Sequence, residues 1–99
     1  MHEIRLSEAA KIDLVDIWIA TSKKWGAKQA DTYLDEIDRA LNGLAKNPKM
    51  GTDCSDVLHQ ARRLVMGRHL GFYEISEGAV FVIRVLHQSM DVAHHLRDV

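Results

Sequence analysis

The chain reads as an α+β domain of order β-α-α-β-β-β, an antiparallel sheet with an N-terminal helical hairpin packed on one face. Three observations predict it. Helical periodicity runs from Ser7 to Leu44 with one short break around "WG". From Ala61 onward the pattern changes to three runs rich in Val, Ile, Phe and Tyr, separated by "GR" and "SEGA". A short alternating segment, "HEIRLS", precedes the helices. The 99 residues (1–99) are expected to form a single domain, near the lower size at which a core folds without disulfides or metals.

Each element has its own local signals. In "HEIRLS", Ile4 and Leu6 share one side of a strand. Ser7 then caps a helix whose first turn carries Glu8, favoured by the helix dipole. Ala10, Leu14, Ile17, Trp18 and Thr21 form its apolar stripe, flanked by Val15 and Ile19. Lysines in "KKWG" and a left-handed Gly26 end it. The second helix buries Ala30, Tyr33, Leu34, Ile37, Ala40, Leu41 and Leu44 and exposes Asp31, Asp35, Glu36, Asp38 and Arg39. Pro48 cannot continue it, and the short break between the helices makes them an antiparallel hairpin. "ARRLVMG", "RHLGFYEI" and "AVFVIRVLH" follow as a meander, with Gly78 supplying positive φ in the second turn. The last run is apolar nearly throughout, as in a central strand covered on both sides. Gly71 interrupts its neighbour, which predicts a bulge or a close approach by a partner.

Composition excludes several classes. At 46% hydrophobic and 27% charged, the chain is neither disordered nor, lacking an apolar run of about 20 residues, membrane-spanning. The charged start "MHEIRLSEAA" does not read as an export signal. The single cysteine, Cys54, cannot form an internal disulfide and fits a reducing cytoplasm; in "GTDCSDV" it reads as a tolerated loop thiol, not a nucleophile. Net charge is -1, with 8 Lys+Arg against 10 Asp+Glu through Asp56 and 5 against 4 beyond it. A protein that grips a phosphate backbone shows a much larger basic excess, so direct nucleic-acid binding by the chain alone is not expected.

Three constellations carry possible chemistry. His87, His94 and His95 with Asp91 have donor types suited to a metal, but no HExxH pattern or cysteine supports them, and neither metal nor cofactor is expected. His87 or His69 as acid and base, with Arg84, Arg62 or Arg63 stabilising a developing phosphorane charge, has the residue types for RNA cleavage. The plainer reading has His87 hydrogen-bonded within the fold and Arg84 paired with a carboxylate. Trp18, Trp25 and Tyr33 lie on apolar stripes and read as core rather than a partner-facing patch. "GRHL" offers the Gly67 and Arg68 amides to an anion, a weak signal.

In order, "RLSEAAKIDLVDIW", "WGAKQADTYLDEIDRALNGLAKNPKMG", "VMGRHLGFYEI" and "IRVLHQSMD" resemble the ParE toxins of bacterial type II toxin–antitoxin modules, within the RelE/ParE fold. The resemblance runs from Arg5 to Leu96, and "NPKMG", "GRH" and "RVLHQSMD" followed by "HL" are its specific parts. It implies a cytoplasmic toxin that inhibits DNA gyrase by protein–protein contact, without catalytic residues of its own, and a ParD-like antitoxin that wraps it. Arg62, Arg63 and Arg84 are then antitoxin-binding candidates, and Arg68, His69, His87, Asp91 and His94 are candidates for the target contact. The alternatives are a RelE-like ribosome-dependent mRNA endonuclease using His87, Arg84, Arg62 and Arg63, and an inactive toxin-derived protein that only binds an antitoxin. Because both sides of the last strand are apolar, an amphipathic antitoxin segment is expected across the open sheet and the helical hairpin.

Overall fold

A computed structural model describes residues 1–97. The α+β class and the order of the expected elements hold. Strand β1 (Glu3–Leu6) leads into α1 (Glu8–Trp25) and α2 (Ala27–Gly43). A two-residue strand β2 (Thr52–Asp53), β3 (Ala61–Met66), β4 (His69–Ser76) and β5 (Ala79–His87) follow, and helix α3 (Val92–Arg97) comes last. The strands form one sheet in the order β1-β5-β4-β3-β2.

Two features depart from the expected antiparallel meander. Strand β1 runs parallel to β5, pairing Glu3 with Ala79 through Leu6 with Val82. No tight turn joins these two strands, so nothing imposes the antiparallel sense. Strand β2 is the second departure: only Thr52 and Asp53 pair with β3, too short a run for periodicity to reveal.

The helical signals act as written. Ser7 Oγ accepts from the Ala10 amide at 2.9 Å and donates to the Ile83 carbonyl at 2.6 Å, so one hydroxyl caps α1 and ties it to β5. Gly26, at φ 94°, closes α1 and starts α2. The face of α2 from Ala30 to Leu41 is buried or half-buried, and its acidic face is exposed. Helix α1 departs from expectation. Trp18 and Trp25 are exposed, at 36% and 66%, and so are Ile12, Val15 and Ile19, while Asp13 is buried. An apolar stripe seven residues wide cannot all face one sheet, and the geometry of the hairpin selected Ala10, Asp13 and Ile17.

The core lies on both faces of the sheet. Ile17, Ile37, Leu41 and Leu44 pack on Leu64, Met66, Tyr73, Val80, Val82 and Val85. On the opposite face Cys54, Ala61, Phe72, Leu86 and Leu96 are buried with Val57, Leu58, Leu70 and Val92 around them. The expected open sheet face is therefore partly closed by the chain's own β2–β3 loop and α3, and Cys54, a loop thiol as read from sequence, is buried in this second core. Phe81 and Val65 remain exposed.

Gly71 meets its expectation in two ways. Its register partner is Val85, and one residue later the β4–β5 ladder slips: Phe72 pairs Arg84, Tyr73 pairs Val82, and Ile83 has no partner. A Cβ at Gly71 would also lie 2.8 Å from Met66 Cε and 3.4 Å from Leu41 Cδ2, so the close neighbours come from its own core.

Candidate functional site

The end of α1, the first half of α2 and the β3–β4 turn enclose a cleft of about 650 Å³. Ile17, Ala20 and Tyr33 give it apolar walls, Lys24 and Trp25 stand on the α1 side, Arg68 comes from the β3–β4 turn, and His69 and His87 come from β4 and β5. Tyr33 organises it. Its hydroxyl accepts from the Arg68 amide at 3.2 Å and lies 2.5 Å from His69 Nδ1. That bond takes the Arg68 amide, so the anion nest suggested by "GRHL" is not available. Gly67 (φ 63°) is required at the turn because a Cβ would sit 3.0 Å from the Tyr33 ring and hydroxyl.

His69 and His87 are register partners on β4 and β5, and their rings meet edge to face at 5.1 Å. Nδ1 of His87 accepts from the Ser89 amide at 3.1 Å and lies 2.7 Å from the Ser89 hydroxyl. The neutral His87 ring therefore carries its proton on Nε2. Burial, and secondarily the neighbouring His87, pulls the His69 pKa from 6.5 down to about 4, so His69 is neutral at pH 7. Burial pushes the Tyr33 hydroxyl up. The pair thus forms a neutral hydrogen-bonded unit.

The arginines are arranged differently. Arg84 Nε and Nη2 donate to the two oxygens of Asp13 at 2.7 and 2.8 Å, and the Val85 amide donates to the same carboxylate at 2.9 Å. The hydrogen bonds from Arg84 to Asp13 hold its guanidinium above its usual pKa. Arg62 donates to the carbonyls of Gly51 at 2.6 Å and Lys49 at 3.2 Å, and its buried Nε has no acceptor among the described residues. Arg63 and Arg68 are exposed. Cross-strand register sets Arg63, Phe72 and Arg84 side by side in one row. His87 lies three residues further along β5, roughly 10 Å away at strand spacing.

Asp91 and His94 stand apart from these groups. Asp91 Oδ1 accepts from the His94 amide at 3.3 Å at the start of α3, a helix-capping bond. The His94 and His95 rings lie 6.0 Å apart. Among the described residues no three His, Cys, Asp or Glu side chains are grouped as metal ligands.

Of the residues singled out by sequence, the fold joins Arg68, His69 and His87 in one cleft and Arg84, His69, His87 and His95 in an adjoining one of about 510 Å³, while Arg62, Arg63, Asp91 and His94 line neither. Two groups went unnoticed. Asp13 had a readable signal, since it lies between Ala10 and Ile17 on the buried face of α1. The pairing of Tyr33 with His69 had none, because 36 residues separate them.

A family model described as "ParE toxin of type II toxin-antitoxin system, parDE" matches residues 4–92. Toxin ParE1 of Mycobacterium tuberculosis is 42% identical over 92 residues, covering 92% of this chain and 94% of its own length. Toxin ParE1 of Caulobacter vibrioides is 40% identical over 96 residues, covering 97% and 99%. A solved chain described as "Chromosomal ParDE TA system from P. aeruginosa" superposes with a TM-score of 0.78 at 15% identity, over 88% of this chain and 96% of that one, a likeness of fold. On the family match and these identities, the chain belongs to the ParE toxins of type II toxin–antitoxin systems.

Proposed function

We propose that residues 1–99 act as a single cytoplasmic toxin domain that inhibits DNA gyrase by protein–protein contact and is neutralised by a ParD-like antitoxin. The observation that carries the non-catalytic reading is the state of the arginines. Arg62 is held by two backbone carbonyls, and Arg84, although it lines a second cleft together with His69 and His87, has its guanidinium already engaged by Asp13. An RNA-cleaving site needs a base, an acid and a cation converging within hydrogen-bond reach of one phosphate. Gyrase as target follows from the ParE resemblance, and Arg68 and His69 form the polar rim offered to it.

The antitoxin surface is read from exposure. Ile12, Val15 and Ile19 recur at helical spacing on the outer side of α1 and are 60%, 58% and 40% exposed. An apolar stripe of this kind fits an amphipathic partner segment. Arg63, exposed on β3, serves the sheet side together with Val65 and Phe81.

Gyrase supercoiling assayed beside mRNA integrity tests the target. Inhibited supercoiling with intact message is expected, and cut message with normal supercoiling would establish the endonuclease instead. An inactive toxin-derived protein would leave both unchanged. His87→Gln, which keeps one hydrogen-bonding end, is expected to leave toxicity largely intact, whereas a ribonuclease using His87 would lose on the order of a hundredfold in rate.

A further inference from the structure

We propose that the cleft between Trp25, Tyr33 and the β3–β4 turn binds a free nucleoside phosphate. Charge is the first argument. The chain as a whole is slightly acidic, at -1, yet the cleft lining holds Lys24 and Arg68 and no aspartate or glutamate. Both cations are on long, exposed side chains that can close on an anion. The Lys24 ammonium now rests 5.4 Å from the centre of the Trp25 ring, a weak contact that a phosphate would outcompete.

Shape and surface chemistry are the second argument. At about 650 Å³ the cleft falls in the range that holds a small organic ligand, and a bare phosphate would leave most of it empty. Trp25, 66% exposed at its rim, supplies a flat aromatic surface on which a heterocycle can stack. Ile17, Ala20 and Tyr33 supply apolar contact, and Gln29, Thr21 and the two imidazoles supply a small number of hydrogen-bonding groups. A neutral aromatic compound would use the walls and leave Lys24 and Arg68 idle. A planar base carrying one or two phosphates uses both.

The charge count also selects a free nucleotide over a strand. Two cations at the cleft suffice for one phosphate group, whereas a strand-binding surface neutralises roughly 6–10 phosphates along a continuous basic track. No such track accompanies a chain with 13 basic and 14 acidic residues.

The test uses the whole protein with Trp18→Phe, which leaves Trp25 as its only tryptophan. Fluorescence is titrated with ADP, adenosine, inorganic phosphate and a short single-stranded RNA, and circular dichroism verifies the fold of each variant. Saturable quenching by ADP is expected, with adenosine and inorganic phosphate each weaker by about tenfold or more. Lys24→Gln with Arg68→Gln should weaken ADP by about tenfold or more, while Lys46→Gln, outside the cleft lining, should not. No saturation up to about 10 mM ADP would overturn the proposal. So would phosphate binding as tightly as ADP, ADP binding unchanged in the folded double variant, or RNA binding more tightly than ADP.

Discussion

Asp13 of α1 and Arg84 of β5, 71 positions apart in sequence, form a two-pronged ion pair with side chains only 10% and 20% exposed. Strand β1 pairs with β5 only as far as Val82. Beyond it, the Asp13 carboxylate takes the Val85 amide, so a helix side chain replaces the missing strand at this edge.

Removing the carboxylate strands both the guanidinium and the Val85 amide. Asp13→Ala is expected to cost about 3 kcal/mol or more in folding free energy, measured by urea denaturation. The double variant Asp13→Leu with Arg84→Met should recover much of that loss, because no uncompensated charge remains buried. A double variant as unstable as the single one would show that the Val85 amide, not the ion pair, dominates.

Acid stability depends on His69. The folded chain keeps this imidazole neutral down to about 4, whereas the unfolded chain takes up a proton near 6.5. Between those values the unfolded state binds more protons, so this contribution to stability is complete above about 6.5 and falls as the pH drops toward 4. His69→Gln, whose amide can still hydrogen-bond to Tyr33, should lose less stability than the parent between pH 7 and pH 4.5, as read by thermal melting.

Tyr73 fastens the loop after α2. Its hydroxyl donates to the Pro48 carbonyl at 2.7 Å and accepts from the Gly51 amide at 3.0 Å. Tyr73→Phe should therefore cost about 1–3 kcal/mol by leaving both groups unpaired. Gly51→Ala should be at least as damaging in the same denaturation experiment, because its Cβ would sit 2.5 Å from the Arg63 carbonyl oxygen, where the backbone must move.

Cys54 is 3% exposed, and burial pushes its thiol pKa upward. Alkylation by iodoacetamide at pH 8 should be slow in the native protein and fast in denaturant. Equal rates would mean that the β2–β3 loop opens readily and does not shield the second core.

By itself the sequence determined the elements whose signals are local. Ser7, Gly26 and Pro48 mark helix boundaries, the apolar face of α2 repeats at helical spacing, and Gly67 and Gly78 allow the two turns. Family membership was legible too, because it resides in ordered short motifs. Tertiary structure alone decided which apolar residues of α1 are buried, because Trp18, Trp25, Ile12, Val15 and Ile19 satisfy the same period as Ile17. It decided the parallel seat of β1, since strand pairing at long range carries no periodic mark. It also decided the site, for Tyr33 reaches His69 only when α2 lies across the sheet, and Arg84 lines a cleft with His69 and His87 only with its guanidinium already held by Asp13. Local backbone preferences are encoded residue by residue, whereas the pairing of distant polar groups depends on where packing leaves them.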